Sequence, residues 1–508
     1  MSFRFDPYLI LGLSHTADAG AVQDAYDILV SHLSANSNRA SQNQLAMVEE
    51  AYQILIDPGQ RLKYHDYLES LDTEEQKSNR FSLRLTPSKR EIKPLGEEQV
   101  IYVLTEMFAP HGVEEMMEDR EVRLNLTLVI DQSKSMDDGG RMRRVIAAAQ
   151  AIITELTHQD VISIVAFNDR ASVFIPATNV TDIMTLRARV GMIEPKGGTE
   201  IFRGLEAGVK ENRKHLNPQM VNHIILLTDG RTYGDEEACL QLAKEAAAEG
   251  ISISAMGLGN DWNDKFLDQL VALTGGTSTY IKTVNMVSEF MEQQLRNLSN
   301  AFAERMSLSI VTNPNVKIEM VFKISPQPQP LTIEEGSIPL ASLQAKRPVA
   351  VLLQLQLPAN IEGNFLNIGH FVAQGDIMLH QAQTFYTASD MALTVTQNPA
   401  DDTPPASIVD ALSKLTLYRL QEKAQEALEE GNIDEATRHL QYLATRLIDM
   451  GEHALGQQAM AEAQHVLQTR SFSNEGNKKT IKYQTRALIE PGGLQRAVTA
   501  LLDDDYDS

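Results

Sequence analysis

Asp131, Ser133 and Ser135 stand at alternate positions in one short segment, Asp131-Gln132-Ser133-Lys134-Ser135, at the end of the apolar run Val122 to Ile130. Gly139 and Gly140 follow closely. Carboxylate and hydroxyl oxygens set out this way suit a hard cation, which takes oxygen ligands in preference to nitrogen or sulfur. Two downstream segments carry the same kinds of side chain: Gly197-Gly198-Thr199, and Thr228-Asp229-Gly230 after the apolar run His223 to Leu227. Together they point to binding through a metal rather than to catalysis. The chain has no Gly-rich loop ending in Gly-Lys-Ser/Thr, no His-Glu-x-x-His and no Gly-x-Ser-x-Gly. Its 12 histidines are scattered, and none forms an evident pair with a serine or cysteine nucleophile.

The elements around these residues alternate. Short, apolar, often β-branched runs predict strands at Val122–Ile130, Asp160–Phe167, Ala171–Ile175, His223–Leu227 and Ile251–Leu258. Helical spacing predicts helices at Arg141–Leu156, Phe202–Asn212, Asp235–Glu249, Asp264–Thr274 and Met286–Met306. Strands and helices in this order imply a mostly parallel sheet covered on both faces. Ligands of such sheets sit beyond the carboxyl ends of the strands. The segments after Ile130 and Leu227 lie at that end.

The order Asp-x-Ser-x-Ser, distant Thr, distant Asp in this context resembles the von Willebrand factor A family and its metal-ion-dependent adhesion site. The resemblance covers residues 122–306 and places the metal ligands on Asp131, Ser133, Ser135, Thr199 and Asp229. It implies Mg2+, or Mn2+ or Ca2+, held largely by neutral hydroxyls. A cation with few direct anionic ligands stays electrophilic and can accept an Asp or Glu carboxylate from a protein partner. Ser, Thr and Asp also suit helix caps and turns, but that reading leaves the co-occurrence of three segments unexplained. A preserved but empty site is a further alternative. Glu200, Asp137 and Asp138 bring extra carboxylates near the expected cation, either to tune it or to face solvent.

The first seventy residues carry another pattern. Asp6-Pro7-Tyr8 precedes Leu9 to Leu13, and two amphipathic helices are expected near Ala19 to Ser34 and Gln42 to Ile56, followed by Asp57-Pro58-Gly59-Gln60-Arg61. The segment resembles a J-domain, the module that stimulates DnaK-type ATPases. The family's His-Pro-Asp triplet falls on Ser34-Ala35-Asn36 and is absent. The expectation is a J-like fold kept for docking, with chaperone stimulation as the alternative.

The full expectation is a multidomain α/β and β protein. It comprises a J-like helical head (1–70), a linker (71–80), a first part of an antiparallel β-sandwich (81–121) and a Rossmann-like A domain inserted in it (122–306). The second part of the sandwich (307–397), a linker (398–406), a helical hairpin or bundle (407–470) and a mobile acidic tail (471–508) follow. Only one unit resembling a tetratricopeptide pair is visible, near Ala427 to Ala436, which does not support a solenoid.

Composition narrows the function classes. The chain has 508 residues, 43% hydrophobic and 22% charged, which are globular values. A net charge of −23 argues against nucleic-acid binding, which needs clustered Lys and Arg. No window holds a membrane-length apolar run, and Cys239, the single cysteine, allows no intrachain disulfide. The expected protein is a cytoplasmic, non-enzymatic, metal-dependent adaptor. By resemblance to bacterial multi-domain A-domain proteins, a MoxR-type AAA ATPase is a candidate partner. The alternatives are a co-chaperone of a DnaK-type ATPase and, further off, a metal-dependent hydrolase.

Overall fold

The computed structural model describes residues 7–11, 13, 17–34, 39–70, 80–110, 113, 122–232, 234–283, 286–333, 336–378, 383–400 and 403–489. The chain opens with helices α1 (Pro7–Ile10), α2 (Ala19–Ser34), α3 (Arg39–Ile56) and α4 (Pro58–Ser70). Strands β1 (Ser82–Pro87), β2 (Glu91–Ile92) and β3 (Gln99–Phe108) follow. Next come β4 (Leu124–Asp131), α5 (Arg141–Glu155), β5 (Val161–Phe167), β6 (Ala171–Asn179), α6 (Ile183–Val190), α7 (Ile201–Arg213) and β7 (Val221–Thr228). Then come α8 (Glu236–Ala248), β8 (Ser252–Leu258), α9 (Asp264–Ala272), β9 (Ser278–Ile281) and α10 (Met286–Ser299). Strands β10 (Ala301–Thr312), β11 (Lys317–Ser325), β12 (Gln329–Leu331), β13 (Ser337–Gln344), β14 (Val349–Leu357), β15 (Phe365–Ile377) and β16 (Gln383–Val395) lead to four helices. These are α11 (Ala406–Glu429), α12 (Ile433–Asp449), α13 (His453–Thr469) and α14 (Glu475–Ile489).

The elements form two compact units. One comprises Met1–Val122, Asn300–Lys323 and Pro330–Ala411. It holds two five-stranded sheets, ordered β1-β3-β14-β11-β12 and β13-β10-β15-β16-β2. Val103, Val351 and Leu353 of the first sheet share one core with Leu308, Leu340 and Phe371 of the second. Leu29 and Leu33 of α2 pack in a cluster with Val311, Val372 and Ala388 of β10, β15 and β16. One apolar face of the N-terminal helices is therefore spent on the chain's own sheet. Ala35 and Asn36, in the position of the missing triplet, lie outside the described residues.

The other unit comprises Arg123–Ser299, Ile324–Gln329 and Leu412–Ser508. Its six-stranded sheet is ordered β6-β5-β4-β7-β8-β9. Every residue of β4, β5, β7 and β8 is buried, as expected for strands that run parallel with both faces covered. The edge strand β6 pairs antiparallel with β5 and is largely exposed. β4 lies between β5 and β7, parallel to both. The chain leaves β4 for one neighbour and later returns to the other, so the loops beyond these two strands diverge and leave a crevice.

Helix α7 reaches this sheet closely because Gly204 and Gly208 lie on one helical face. A Cβ at Gly204 would stand 2.4 Å from the Phe167 ring, and one at Gly208 would stand 2.4 Å from Val129 Cγ2. Further along α7, buried Asn212 donates from Nδ2 to the Asn125 carbonyl at 2.9 Å and to Thr127 Oγ1 at 3.0 Å.

Two expectations are corrected here. The helix expected over Met286–Met306 ends at Ser299, and Phe302 belongs to strand β10, buried in the core of the first unit. Its helical spacing from Leu298 is coincidental: the apolar pattern passes without a gap from a helix into a strand. Strand β9 and helix α6, too short to announce themselves, were not anticipated. The second correction concerns the region after Arg470, expected to be mobile. Glu475–Ile489 folds as α14, a fourth helix beyond the three that span 406–469. Residues 490–508 lie outside the described part.

What orders α14 is a face of cations. Lys479, Lys482, Tyr483 and Arg486 recur at three- and four-residue spacing, which puts them on one side of a helix. Opposite them, Asp264 and Asp268 project from α9. Lys482 Nζ lies 2.5 Å from Asp264 Oδ2 and 2.9 Å from Asp268 Oδ2. Arg486 grips Asp268 with two bonds of 3.0 and 2.8 Å. Lys479 donates to the carbonyls of Asn260 and Trp262 and sits 4.4 Å from the centre of the Trp262 ring. Burial raises the pKa of Asp268, but Arg486 and Lys482 outweigh it and hold this carboxyl well below the usual range.

Two predictions follow from this packing. Gly208→Val is expected to destabilise the sheet unit by about 1–3 kcal/mol, because the overpacked contact must push α7 off β4. A urea midpoint equal to that of the wild type would refute the close approach. Asp268→Ala would strand the buried Arg486 and leave Lys482 with Asp264 alone, at a cost on the order of 3 kcal/mol. Trp262, the single tryptophan and 1% exposed, reports on this contact. Its emission is expected to shift to the red in the variant at neutral pH. In the wild type, the folded pKa of Asp268 lies below its unfolded value of about 4. Its contribution is therefore complete above that pH and is lost as pH falls toward the folded value. An acid titration of Trp262 emission that is identical in wild type and Asp268→Asn would count against the cluster.

Candidate metal centre

Asp131 is the last residue of β4, and Thr228 the last of β7. Their register is set by the strand pair Ile130–Leu227, one residue earlier. Thr228 Oγ1 accordingly donates to Asp131 Oδ2 at 2.7 Å, while the Ser133 amide donates to Oδ1 at 2.8 Å. Asp131 has no exposed surface. Burial pushes its carboxyl up to about 6, against the bonds from Ser133 and Thr228 that pull it down, and nearby Asp229 adds to the rise.

After Asp131 the chain turns through a 3-10 segment, Lys134–Gly140. Gly139 and Gly140 both take positive φ, 60° and 74°, which lets α5 start directly behind the turn. This turn brings the two serines together, with Ser133 Oγ and Ser135 Oγ 3.0 Å apart. Both face Asp229 Oδ1: Ser135 donates to it at 2.7 Å and Ser133 at 3.4 Å. Asp229 is 1% exposed.

Thr199 arrives on a third segment, stitched in place by main-chain bonds. The Lys134 amide donates to the Gly197 carbonyl at 3.1 Å, and the Lys196 amide to the Gln132 carbonyl at 2.6 Å. Asn168 Nδ2 donates to the Lys196 carbonyl at 2.9 Å, and Asp169 Oδ2 accepts from the Gly198 amide at 3.1 Å. Thr199 then packs on the segment after β7: a Cβ at Gly230 would stand 3.0 Å from its Oγ1. The open amides at the start of α7 are taken by Thr232 and Asp235, at 3.1 and 2.9 Å, so the loop after β7 also anchors the helix that follows Thr199.

The structure thus brings Asp131, Ser133, Ser135, Thr199 and Asp229 to one end of the sheet. Glu200 turns away: it is exposed, and Arg203 lies 3.5 Å from its carboxylate. Asp137 and Asp138 are exposed as well. Among the described residues no three His, Cys, Asp or Glu side chains gather into a metal site, so a cation here would rest mainly on hydroxyls. The donor set fits a hard divalent ion: oxygen throughout, with two buried carboxylates, of which Asp131 has no positively charged partner among the described residues, a placement that is costly without one. Gln132, between two of these positions, is buried with its Oε1 lacking a hydrogen-bond partner. Such an ion would supply electrophilic charge at the mouth of the crevice.

Two contributors escape a reading of spacing alone. Thr228 adjoins Asp229 in sequence, yet its role as the donor to Asp131 depends on strand register. Arg141 is the other: its Nη1 lies 2.7 Å from Asp229 Oδ2, across 88 positions of sequence. Apart from the site, His223 Nε2 and Ser254 Oγ lie 3.1 Å apart. This pair is buried near the opposite end of the strands, and burial pulls His223 down to about 4. Cys239 is buried too, which pushes its thiol up.

Comparison with known proteins agrees with the fold. The model of the von Willebrand factor type A domain matches residues 125–298, and that of the Sll0103-like C-terminal alpha-helical domain matches residues 406–491. The uncharacterized protein sll0103 of Synechocystis is 27% identical over 385 residues, which is 73% of this chain and 90% of that one. The uncharacterized protein YfbK of Escherichia coli is 24% identical over 194 residues, 37% of this chain and 34% of its own. Among solved structures, a von Willebrand factor type A protein from Catenulispora acidiphila superposes with a TM-score of 0.65 at 16% identity, covering 80% of this chain and 96% of that one. The ArnB paralog VWA2 from Sulfolobus acidocaldarius gives 0.51 at 14% identity, over 80% and 98%. At such identities the superpositions speak for the fold alone.

Proposed function

We propose that this chain, which carries a von Willebrand factor type A domain and a Sll0103-like helical tail, is a non-enzymatic adaptor. Its A domain holds a divalent cation, Mg2+ in the first instance, on Asp131, Ser133, Ser135, Thr199 and Asp229. The cation in turn takes an Asp or Glu carboxylate of a protein partner. The observation that carries this reading is the convergence of two buried carboxylates and three hydroxyls from three separate loops at the switch point of the sheet. Three of the five ligands are neutral hydroxyls, which keeps the ion a strong Lewis acid for an incoming carboxylate.

The surroundings support binding over turnover. The His223–Ser254 pair is buried and remote from the crevice. No helix among the described residues is long and apolar enough to cross a membrane. The packing of Leu29 and Leu33 against β10 and β15 supports a structural role for the N-terminal helices rather than stimulation of a DnaK-type ATPase. An AAA ATPase of the MoxR type remains our candidate partner on resemblance alone.

Titration of the purified chain with Mn2+, followed by the ion's paramagnetic resonance, is expected to show one site. Asp229→Ala should weaken it at least about tenfold, the loss of one charged ligand. Affinity capture from cell extract, run with Mg2+ or chelator and with wild type or Asp131→Ala, should then lose the same partner under either change. A partner set indifferent to both changes would overturn the metal-mediated reading.

A further inference from the structure

Arg141 is an unexpected neighbour for this site. It is the first residue of α5, at the positive end of the helix dipole. A cation is disfavoured there, and neither an acidic side chain in the first turn nor a side-chain cap offsets it. The guanidinium nevertheless folds back over the turn. Nη1 lies 2.7 Å from Asp229 Oδ2 and 3.4 Å from the Ser135 carbonyl. Its other arm rests on Gly259, where φ is 68° and a Cβ would stand 2.7 Å from Nη2. The loop after β8 thus leaves room for this side chain by having none of its own. The Arg141 side chain is 22% exposed, whereas that of Asp229 has no exposure.

The two oxygens of Asp229 are therefore divided. Oδ1 receives the hydroxyls of Ser133 and Ser135, and Oδ2 receives the guanidinium. A fixed positive charge already answers the carboxylate that a divalent ion would need. Asp131, whose partners are Ser133 and Thr228, has hydrogen bonds but no such counter-charge among the described residues.

We propose that Arg141 is a built-in counter-cation that competes with the divalent ion for Asp229 and so lowers the site's affinity for metal. It keeps the two-carboxylate crevice in shape when no ion is bound and makes the bound ion readily exchangeable. It also fixes the sign of the loaded site. Two carboxylates and a divalent ion sum to zero, and Arg141 adds the positive charge that attracts an acidic partner. This inference rests on the metal reading above, and its test separates the two.

The probe is Mn2+ alone, titrated by calorimetry and paramagnetic resonance into wild type, Arg141→Gln, Arg141→Met and Arg141→Lys. The neutral variants are expected to bind Mn2+ about tenfold more tightly than wild type, and the lysine variant, which keeps the charge, to stay within about threefold of it. The gain should shrink as salt is raised, because it is a charge effect at a partly exposed group. A purely structural role for Arg141 predicts the opposite, weaker binding in all three variants. Neutral variants that bind equally or more weakly than a metal-binding wild type would overturn the role of Arg141 and leave the metal site standing. Absence of Mn2+ binding in every form, wild type included, would overturn both. Near-ultraviolet circular dichroism identifies a misfolded variant, and having two neutral side chains leaves the comparison available if one fails to fold.

Discussion

Asp131 ends a strand that is buried on both faces, and its carboxylate has no exposed surface. A charge in that position must be compensated locally or the strand end will not hold. The compensation is shared by two loops: the Ser133 amide and hydroxyl side of its own turn, and Thr228 at the end of the neighbouring strand. Much else at this end of the sheet follows from that constraint. The Asp131–Thr228 bond fixes how β4 and β7 finish. The turn after Asp131 then has to double back, and Gly139 and Gly140 supply the left-handed backbone for it. The same turn delivers Ser133 and Ser135 to Asp229 and sets Arg141 at the head of α5.

The segment bearing Thr199 depends on this turn in its own way. It carries no strand, and its position comes from amides and carbonyls exchanged with residues 132–134 and from the Asn168 and Asp169 side chains. A shift in any of the three loops is therefore felt by the others. On the far side of the crevice, the loop after β8 is held between Arg141 at Gly259 and Lys479 at the carbonyls of Asn260 and Trp262. The C-terminal helix thus touches a loop that also touches the Arg141–Asp229 pair.

The helical tail shows how a polar segment becomes ordered. Read as a string, residues after 470 have the composition of a solvated end. In the fold, the side of α14 that carries Lys479, Lys482 and Arg486 meets the Asp264 and Asp268 pair, one turn apart on α9. Both faces lose water together, and each charge finds its opposite. Their complementarity lies in the pairing and was invisible in either stretch by itself. The N-terminal helices illustrate the same point with apolar residues: Leu29 and Leu33 declare an amphipathic helix, but not that the chain's own strands would cover it.

Several features were legible without coordinates. The apolar runs ending at Ile130 and Leu227, the alternation with helices of ordinary length, and the oxygen-bearing side chains after those runs are local patterns, each set by a few neighbouring residues. They located the α/β sheet and the residues at its carboxyl end. Other features needed the third dimension. The helix after Met286 ends at Ser299 because Phe302 is claimed by a strand core, a competition that helical spacing cannot register. Arg141 meets Asp229 only because β4 and β7 are adjacent and both loops turn toward the same crevice. Side-chain type and short-range spacing can announce a ligand set. Which charge sits opposite which carboxylate is decided by strand order and loop geometry, and these join residues that lie far apart along the chain.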